Sequence, residues 1–200
     1  MRITHDGPTT GIVRYFIGKF GLWISGWKFE GKIPPGEKFV LIAAPHTSNW
    51  DFPLLLAATF HLRLKVSWFG KDSLFKRPFG WFMRGLGGIA VDRSAPQGLV
   101  NQMVDQFNRN DKLIVVIAPD GTRAKCDYWK SGFYRIARKA QVPLLCGYLD
   151  YGRKVAGIHL SFLPSGSVKA DMDRLREFYS GIIGKIPEKT STILLKTETE

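Results

Sequence analysis

FVLIAAPHTSNWDFPLLLAA, residues 39–58, is the stretch on which the fold turns. Phe39 to Ala44 are apolar without a break, and the run is too short for an ordinary helix. Such a run, closed by a proline, reads as a strand buried on both faces, the kind found in parallel sheets. A second apolar run follows from Phe52, and it contains Pro53. Proline is tolerated in the first turn of a helix, where the N–H groups have no intrahelical partner. The helix therefore starts near Asn49 and runs to about Phe60. The order is strand, loop, helix, with His46 in the loop and Asp51 in the first turn.

Outward from this unit the alternation continues. Strands are expected at about 64–69, 88–91, 113–118 and 144–149, with one or two more in 155–163. Helices are expected at about 79–86, 96–108, 130–140 and 171–183. Near-continuous apolar strands alternating with helices predict an α/β fold: a mainly parallel, mixed central sheet with helices on both faces. The length, 200 residues, suits a single domain. Its α/β core is expected at 39–165. A polar, turn-rich link at 31–37 should precede the core, and a loose tail at 186–200 should follow it.

The N-terminal segment 1–30 carries a pattern of its own. Val13, Phe16, Ile17, Phe20, Trp23, Ile24 and Trp27 recur at helical spacing, with Arg14, Gly18, Gly21, Ser25 and Lys28 on the other side. A helix over 11–28 spans roughly 26 Å, short of a ~30 Å hydrocarbon core. Arg14 and Lys19 would each cost ~2.5–3.5 kcal/mol near its centre. Two readings remain: an amphipathic helix lying in a membrane interface, or a helix docked on the domain by that stripe. Four glycines between 11 and 26 weaken the helix in either case.

Lys and Arg total 29 against 17 Asp and Glu, a net charge of +12. That excess points to an anionic partner: nucleic acid, a lipid surface or a phosphorylated substrate. Two cysteines make no disulfide framework and suit a reducing compartment. A secretory signal is not expected, since the start lacks the basic, apolar and cleavage regions in order.

Ligands of such sheets bind beyond the carboxyl ends of the strands. His46, Lys71, Asp92-Arg93 and Asp120-Gly121-Thr122-Arg123 all lie just past predicted strand ends, so they should gather on one edge. His46 and Asp51 would diverge on a regular helix, but a turn between them lets the carboxylate hold the imidazole. The other ring nitrogen is then a base near neutral pH. An alternative is structural: Ser48-x-x-Asp51 fits a capping box. A zinc site is not expected, because the other three histidines lie far off in sequence. Pro119-Asp120-Gly121 is a turn signature, yet such a turn beside Arg123 also makes an anion cradle. Arg93 and Arg123 form a candidate phosphate clamp, with Lys71 or Lys130 as point charges. Asp92-Arg93 has a plainer reading as a solvated ion pair.

These residues resemble the motifs of the glycerophospholipid acyltransferases of the 1-acylglycerol-3-phosphate acyltransferase type. His46-Thr47-Ser48-Asn49-Trp50-Asp51 is similar to their His-x4-Asp motif. Gly88-Ile89-Ala90-Val91-Asp92-Arg93 resembles the second motif, and Pro119-Asp120-Gly121-Thr122-Arg123-Ala124 the third. Trp129-Lys130-Ser131-Gly132 is similar to the stretch that follows the third, and Val142-Pro143-Leu144-Leu145 to the fourth. The resemblance covers about 40–150. It implies transfer of an acyl group from a thioester, acyl-CoA or acyl-carrier protein, to a lysophospholipid hydroxyl without an acyl-enzyme. His46 would be the general base and Asp51 its orienting partner. Arg93, Gly121, Thr122 and Arg123, together with Lys71, would bind the acceptor phosphate, supported by Asp92, Asp120 and Lys130. No metal or other cofactor is implied, only the thioester co-substrate.

Asp120 stands where the family usually has glutamate, and Cys146 where a second proline is common. As a brace for an arginine, the shorter carboxylate would reshape the acceptor pocket, so another hydroxylated or amino-lipid acceptor stays open. The expected setting is peripheral, on the cytoplasmic face of a membrane with an anionic surface. Nucleic acid is not expected as a partner: no helix-turn-helix, zinc-finger or RNP pattern accompanies the charge.

Overall fold

A computed structural model of the chain describes residues 4–91 and 96–198, and at residues 71, 96 and 97 the backbone alone. Seven strands among the described residues form one sheet: β1 (Lys28–Gly31), β2 (Lys38–Ala43), β3 (Ser67–Lys71), β4 (Gly88–Val91), β5 (Leu113–Ile117), β6 (Leu144–Asp150) and β7 (Val155–Phe162). Their order is β1-β7-β6-β2-β5-β3-β4. All neighbours pair in parallel except β6 and β7, which are antiparallel. Strands β2, β5 and β6 lie at the centre, and their apolar runs are buried almost throughout. That is why these strands read as unbroken runs rather than alternating ones.

Alternate residues of β2 serve opposite faces. Val40 and Ile42 pack into a cluster with Met103, Phe107, Phe133, Ala137, Met172 and Leu175. These come from α4 (Pro96–Arg109), α5 (Gly132–Ala140) and α6 (Val168–Tyr179). Phe39 and Leu41 face the other way, with Ile114, Leu145 and Leu64. That second face is covered by α2 (Asp51–His61) and, over Leu149 and Ala156, by α1 (Ile12–Ser25). A short helix, α3 (Gly80–Gly85), leads into β4.

The structure corrects four expectations. Lys28–Gly31 is a strand, not part of the approach to a link, and it extends the sheet before residue 39. Its four residues sit at the sheet edge and show no fully buried face, which left no apolar run to read. The last helix lies earlier than 171–183, because Ser167 caps it by accepting from the Ala170 N–H. Within the segment expected to be loose, residues 186–198 are held: Leu195 is 1% exposed, Trp129 N–H donates to Leu194 O at 2.8 Å, and Arg176 pairs with Glu198 at 3.0 Å; residues 199–200 lie outside the described residues.

The fourth correction concerns α1. It does not dock by its apolar stripe. Tyr15, Gly18 and Leu22 face the protein. Val13, Phe16, Ile17, Phe20, Trp23 and Ile24 are all outside, from 57% (Ile17) to 74% (Trp23) exposed. Gly18 makes this possible, since a Cβ there would sit 2.5 Å from the Ala57 carbonyl oxygen of α2. The glycine that weakens the helix locally lets two helix backbones approach. Arg14 Nη2 donates to Gly85 O at 2.8 Å, which joins this exposed face to Phe79, Trp81 and Phe82 around α3, also exposed. No helix of the described residues is long and apolar enough to cross a membrane.

Candidate active site

Strand β2 is flanked by β5 and β6, so the three chain segments leaving their carboxyl ends emerge side by side. The first carries His46. Its Nδ1 lies 3.0 Å from Asp51 Oδ2, and that oxygen also accepts from the Thr47 and Ser48 N–H groups, each at 2.9 Å. An ionised carboxylate only accepts, so Nδ1 carries the proton and donates. Nε2 makes no hydrogen bond to a described residue and is left as the basic nitrogen. The capping and dyad readings of Asp51 are thus not rivals: one buried carboxylate closes the loop at the helix start and holds the ring. Ser48 departs from the full capping box, because its hydroxyl accepts from the Trp50 N–H at 3.2 Å.

Burial pushes the Asp51 carboxyl up, but hydrogen bonds from His46, Ser48 and Tyr151 and the imidazole charge outweigh it. The net shift is below the ordinary carboxylate value. Asp120, at the exit of β5, goes the opposite way. Burial raises it, and the His46 N–H, Ser191, Trp129 and the imidazole charge only temper the rise. Its Oδ2 accepts from the His46 N–H at 3.1 Å, while buried Oδ1 finds no hydrogen bond among the described residues. Asp120 therefore braces the base loop; the expectation of a brace for an arginine is corrected. A side chain one methylene shorter than glutamate stays beneath the loop, at the wall of a small cavity lined by Pro45, Trp129 and Tyr179.

Beyond Asp120 the turn opens outward. Gly121 adopts a left-handed backbone, φ +63°, which other residues reach only with strain. The Lys130 side chain lies across it, since a Cβ on Gly121 would meet Nζ at 2.6 Å. Thr122 and Arg123 are exposed, and the Thr122 hydroxyl accepts from the Ala124 N–H at 3.3 Å. Arg123 has no ion pair among the described residues. The structure thus brings His46, Asp51, Asp120, Gly121, Thr122, Arg123 and Lys130 to one edge of the sheet. Lys71 ends β3, one strand beyond β5, on the same edge. Asp92 and Arg93 lie outside the described residues.

Three contributors escaped the sequence reading. Tyr151 donates from its hydroxyl to Asp51 Oδ1 at 2.7 Å. The Ile186 N–H donates to Thr47 Oγ1 at 3.2 Å, and Ser191 Oγ accepts from the Cys126 N–H at 3.1 Å. For Tyr151 a signal existed: it directly follows a central strand, as the other site residues do. For the two C-terminal contacts none did, since nothing in an irregular segment foretells its docking.

A hydrogen-bonded His–Asp pair and a cationic turn, at the strand ends of a helix-covered, mainly parallel sheet, define the class: an α/β protein with its candidate site beyond the carboxyl ends of the strands. Residues 27–148 match the family described as Acyltransferase, and the chain belongs to that family. It is 27% identical over 115 residues to a 1-acyl-sn-glycerol-3-phosphate acyltransferase of Streptococcus pneumoniae, covering 57% of this chain and 42% of that one. It is 29% identical over 140 residues to the protein of that name from Pseudomonas aeruginosa, covering 64% and 52%. The chain spans about half the length of these curated relatives. The crystal structure of the 1-acyl-sn-glycerophosphate acyltransferase PlsC from Thermotoga maritima superposes with a TM-score of 0.57 at 25% identity, over 84% of this chain and 75% of that one.

Proposed function

We propose that the chain transfers a fatty acyl group from an acyl thioester, acyl-CoA or acyl-carrier protein, to the free hydroxyl of a lysophospholipid such as 1-acylglycerol-3-phosphate. The observation that carries this reading is the 3.0 Å contact between His46 Nδ1 and Asp51, which leaves Nε2 as the free basic nitrogen. Nε2 takes the acceptor's hydroxyl proton as the oxygen attacks the thioester carbonyl. A tetrahedral intermediate forms and collapses, the C–S bond breaks, and the thiolate regains the proton from the imidazolium. No acyl-enzyme is needed. Asp51 keeps the ring oriented and balances the imidazolium charge. Arg123, Gly121, Thr122 and Lys130 receive the acceptor phosphate, joined by Lys71 and Arg93 and supported by Asp92. Asp120 holds the base loop.

A lipid acceptor calls for work at a membrane surface. Support comes from the outward stripe of α1 and the neighbouring aromatics Phe79 and Trp81. Phe and Trp on an exposed helix face suit the boundary between headgroups and acyl chains. The net charge of +12 favours an anionic leaflet. We place the protein peripherally on the cytoplasmic face.

The test is an assay of purified protein with acyl-CoA and acyl-carrier-protein donors against a panel of lysolipids in anionic vesicles. Transfer to a phosphate-bearing lysolipid is expected. Thioester consumption with no lysolipid acylated would overturn the acceptor class, and no consumption with any acceptor would overturn the reading.

A further inference from the structure

The dyad's carboxylate has a second oxygen, and the protein commits it. Asp51 Oδ2 faces the imidazole and two backbone N–H groups, while Oδ1 accepts from the Tyr151 hydroxyl at 2.7 Å. With both oxygens engaged from different directions, the carboxylate plane is fixed. Tyr151 is a dedicated donor here: burial, then its bond to Asp51 and that residue's charge, push the phenol well above its usual range.

The tyrosine is itself held. Its N–H donates to Ile183 O at 2.8 Å, in the segment after α6. The Trp27 ring meets the Tyr151 ring edge-on, with centroids 4.8 Å apart at 84°. Trp27 is buried, and its N–H donates to Leu22 O at 2.8 Å, closing the end of α1. A continuous set of contacts therefore runs from the helix bearing the exposed apolar stripe, through Trp27 and Tyr151, to the carboxylate that orients the base.

We propose that Tyr151 is a positioning residue that fixes the orientation of Asp51, and that Trp27 ties this hold to the seat of α1. The catalytic consequence rests on the acyl-transfer reading above; the geometric one does not. The titratable groups facing the pair are His46 and, through the His46 N–H, Asp120. The nearby cation Lys185 is held over the Trp50 ring at 4.9 Å. Loss of the phenol hydroxyl leaves Oδ1 buried without its donor, so the carboxylate's charge acts more strongly on the imidazolium.

The experiment compares wild type, Tyr151→Phe, Trp27→Leu and the double variant as full chains, with two readouts. One is the pH dependence of kcat/KM on anionic vesicles. The other is the Nδ1–H resonance of His46 in histidine-labelled protein, assigned by its absence in His46→Ala. For Tyr151→Phe we expect kcat to fall about tenfold, the worth of one hydrogen bond to a charged group. The acceptor KM should change less than about twofold, the acid limb should move, and the resonance should shift. Trp27→Leu should move the same readouts less, and the double variant should not be additive. An unmoved acid limb and resonance in Tyr151→Phe would overturn the positioning role, and strict additivity would overturn the link to α1. If wild type transfers no acyl group to any lysolipid, the acyl-transfer reading fails and the resonance alone decides the positioning.

Discussion

The loop carrying His46 and the turn carrying Arg123 leave adjacent strands, yet their polar groups are treated in opposite ways. In the loop, the N–H groups of His46, Thr47, Ser48 and Trp50 each donate to a side-chain oxygen, and Thr47 and Ser48 are buried. In the turn, residues 121–125 are exposed, and Arg123 and Lys130 have no ion pair among the described residues. On the acyl-transfer reading, the loop is the proton-transfer end and is built before any substrate arrives, so its alignment costs nothing at the moment of reaction. On the same reading the turn is the anion end, holding donors in reserve that a ligand would satisfy. Substitutions in the first region should therefore lower kcat, and those in the second should raise the acceptor KM.

The largest expected effect belongs to the loop. On the proposed mechanism His46→Ala removes the base, and a positioned base is worth ~10²–10⁴-fold in rate. Activity should fall by that order while the melting temperature stays near wild type, because the ring makes only one hydrogen bond among the described residues. A variant retaining a tenth of the rate would break the contrast at its stronger end. Next comes Arg123→Ala. Hydrogen bonds from a charged group are worth ~1.5–3 kcal/mol, less where water competes. The KM for a phosphate-bearing acceptor should rise about tenfold, with kcat and stability unchanged. An equal effect on a phosphate-free acceptor would show that the guanidinium does not read the phosphate. Gly121→Ala should act more mildly, through a strained left-handed residue and a displaced Lys130. The KM should rise roughly threefold, and the melting temperature should drop by about 2–4 °C, as ~1 kcal/mol does in a chain of this size.

How legible this was depended on what each residue answers to. The central strands were plain in sequence, because burial on both faces demands an apolar residue at every position. The strand-end rule then collected His46, Asp51 and the 120–123 turn, because it depends on topology more than on side-chain detail. The edge strand Lys28–Gly31 left no such trace, since an edge strand of four residues needs no apolar run. Helix α1 was legible as a helix but not in its direction. Its apolar stripe suited either a membrane interface or docking, and only the approach of Gly18 to Ala57 reveals that the small face is the inner one. Asp120 was found but misassigned. Its neighbours in sequence are Gly121 and Arg123, whereas its partner is the His46 N–H, 74 positions away. Local spacing cannot show that a carboxylate turns back under a neighbouring strand's loop.

The smallest effect tests that reassignment and separates the two carboxylates around His46. Asp120 is raised by burial, so the folded chain holds its proton more tightly than the unfolded chain does. It therefore favours folding in acid, and this contribution is lost as pH rises through the raised value. Asp51, lowered on balance by its donors, runs the other way: it stabilises the fold above the ordinary carboxylate value of ~3.9 and loses that as pH falls through the lowered one. Asp120→Asn keeps a carbonyl oxygen that can accept from the His46 N–H but does not titrate. Its melting temperature minus that of wild type should climb from about pH 4 upward and level off above the raised value. For Asp51→Asn the same difference should fall as pH rises toward ~4. Parallel curves for the two variants would mean that both carboxylates sit in equivalent surroundings, and the contrast between a brace buried beneath the loop and a partner held by its donors would be lost.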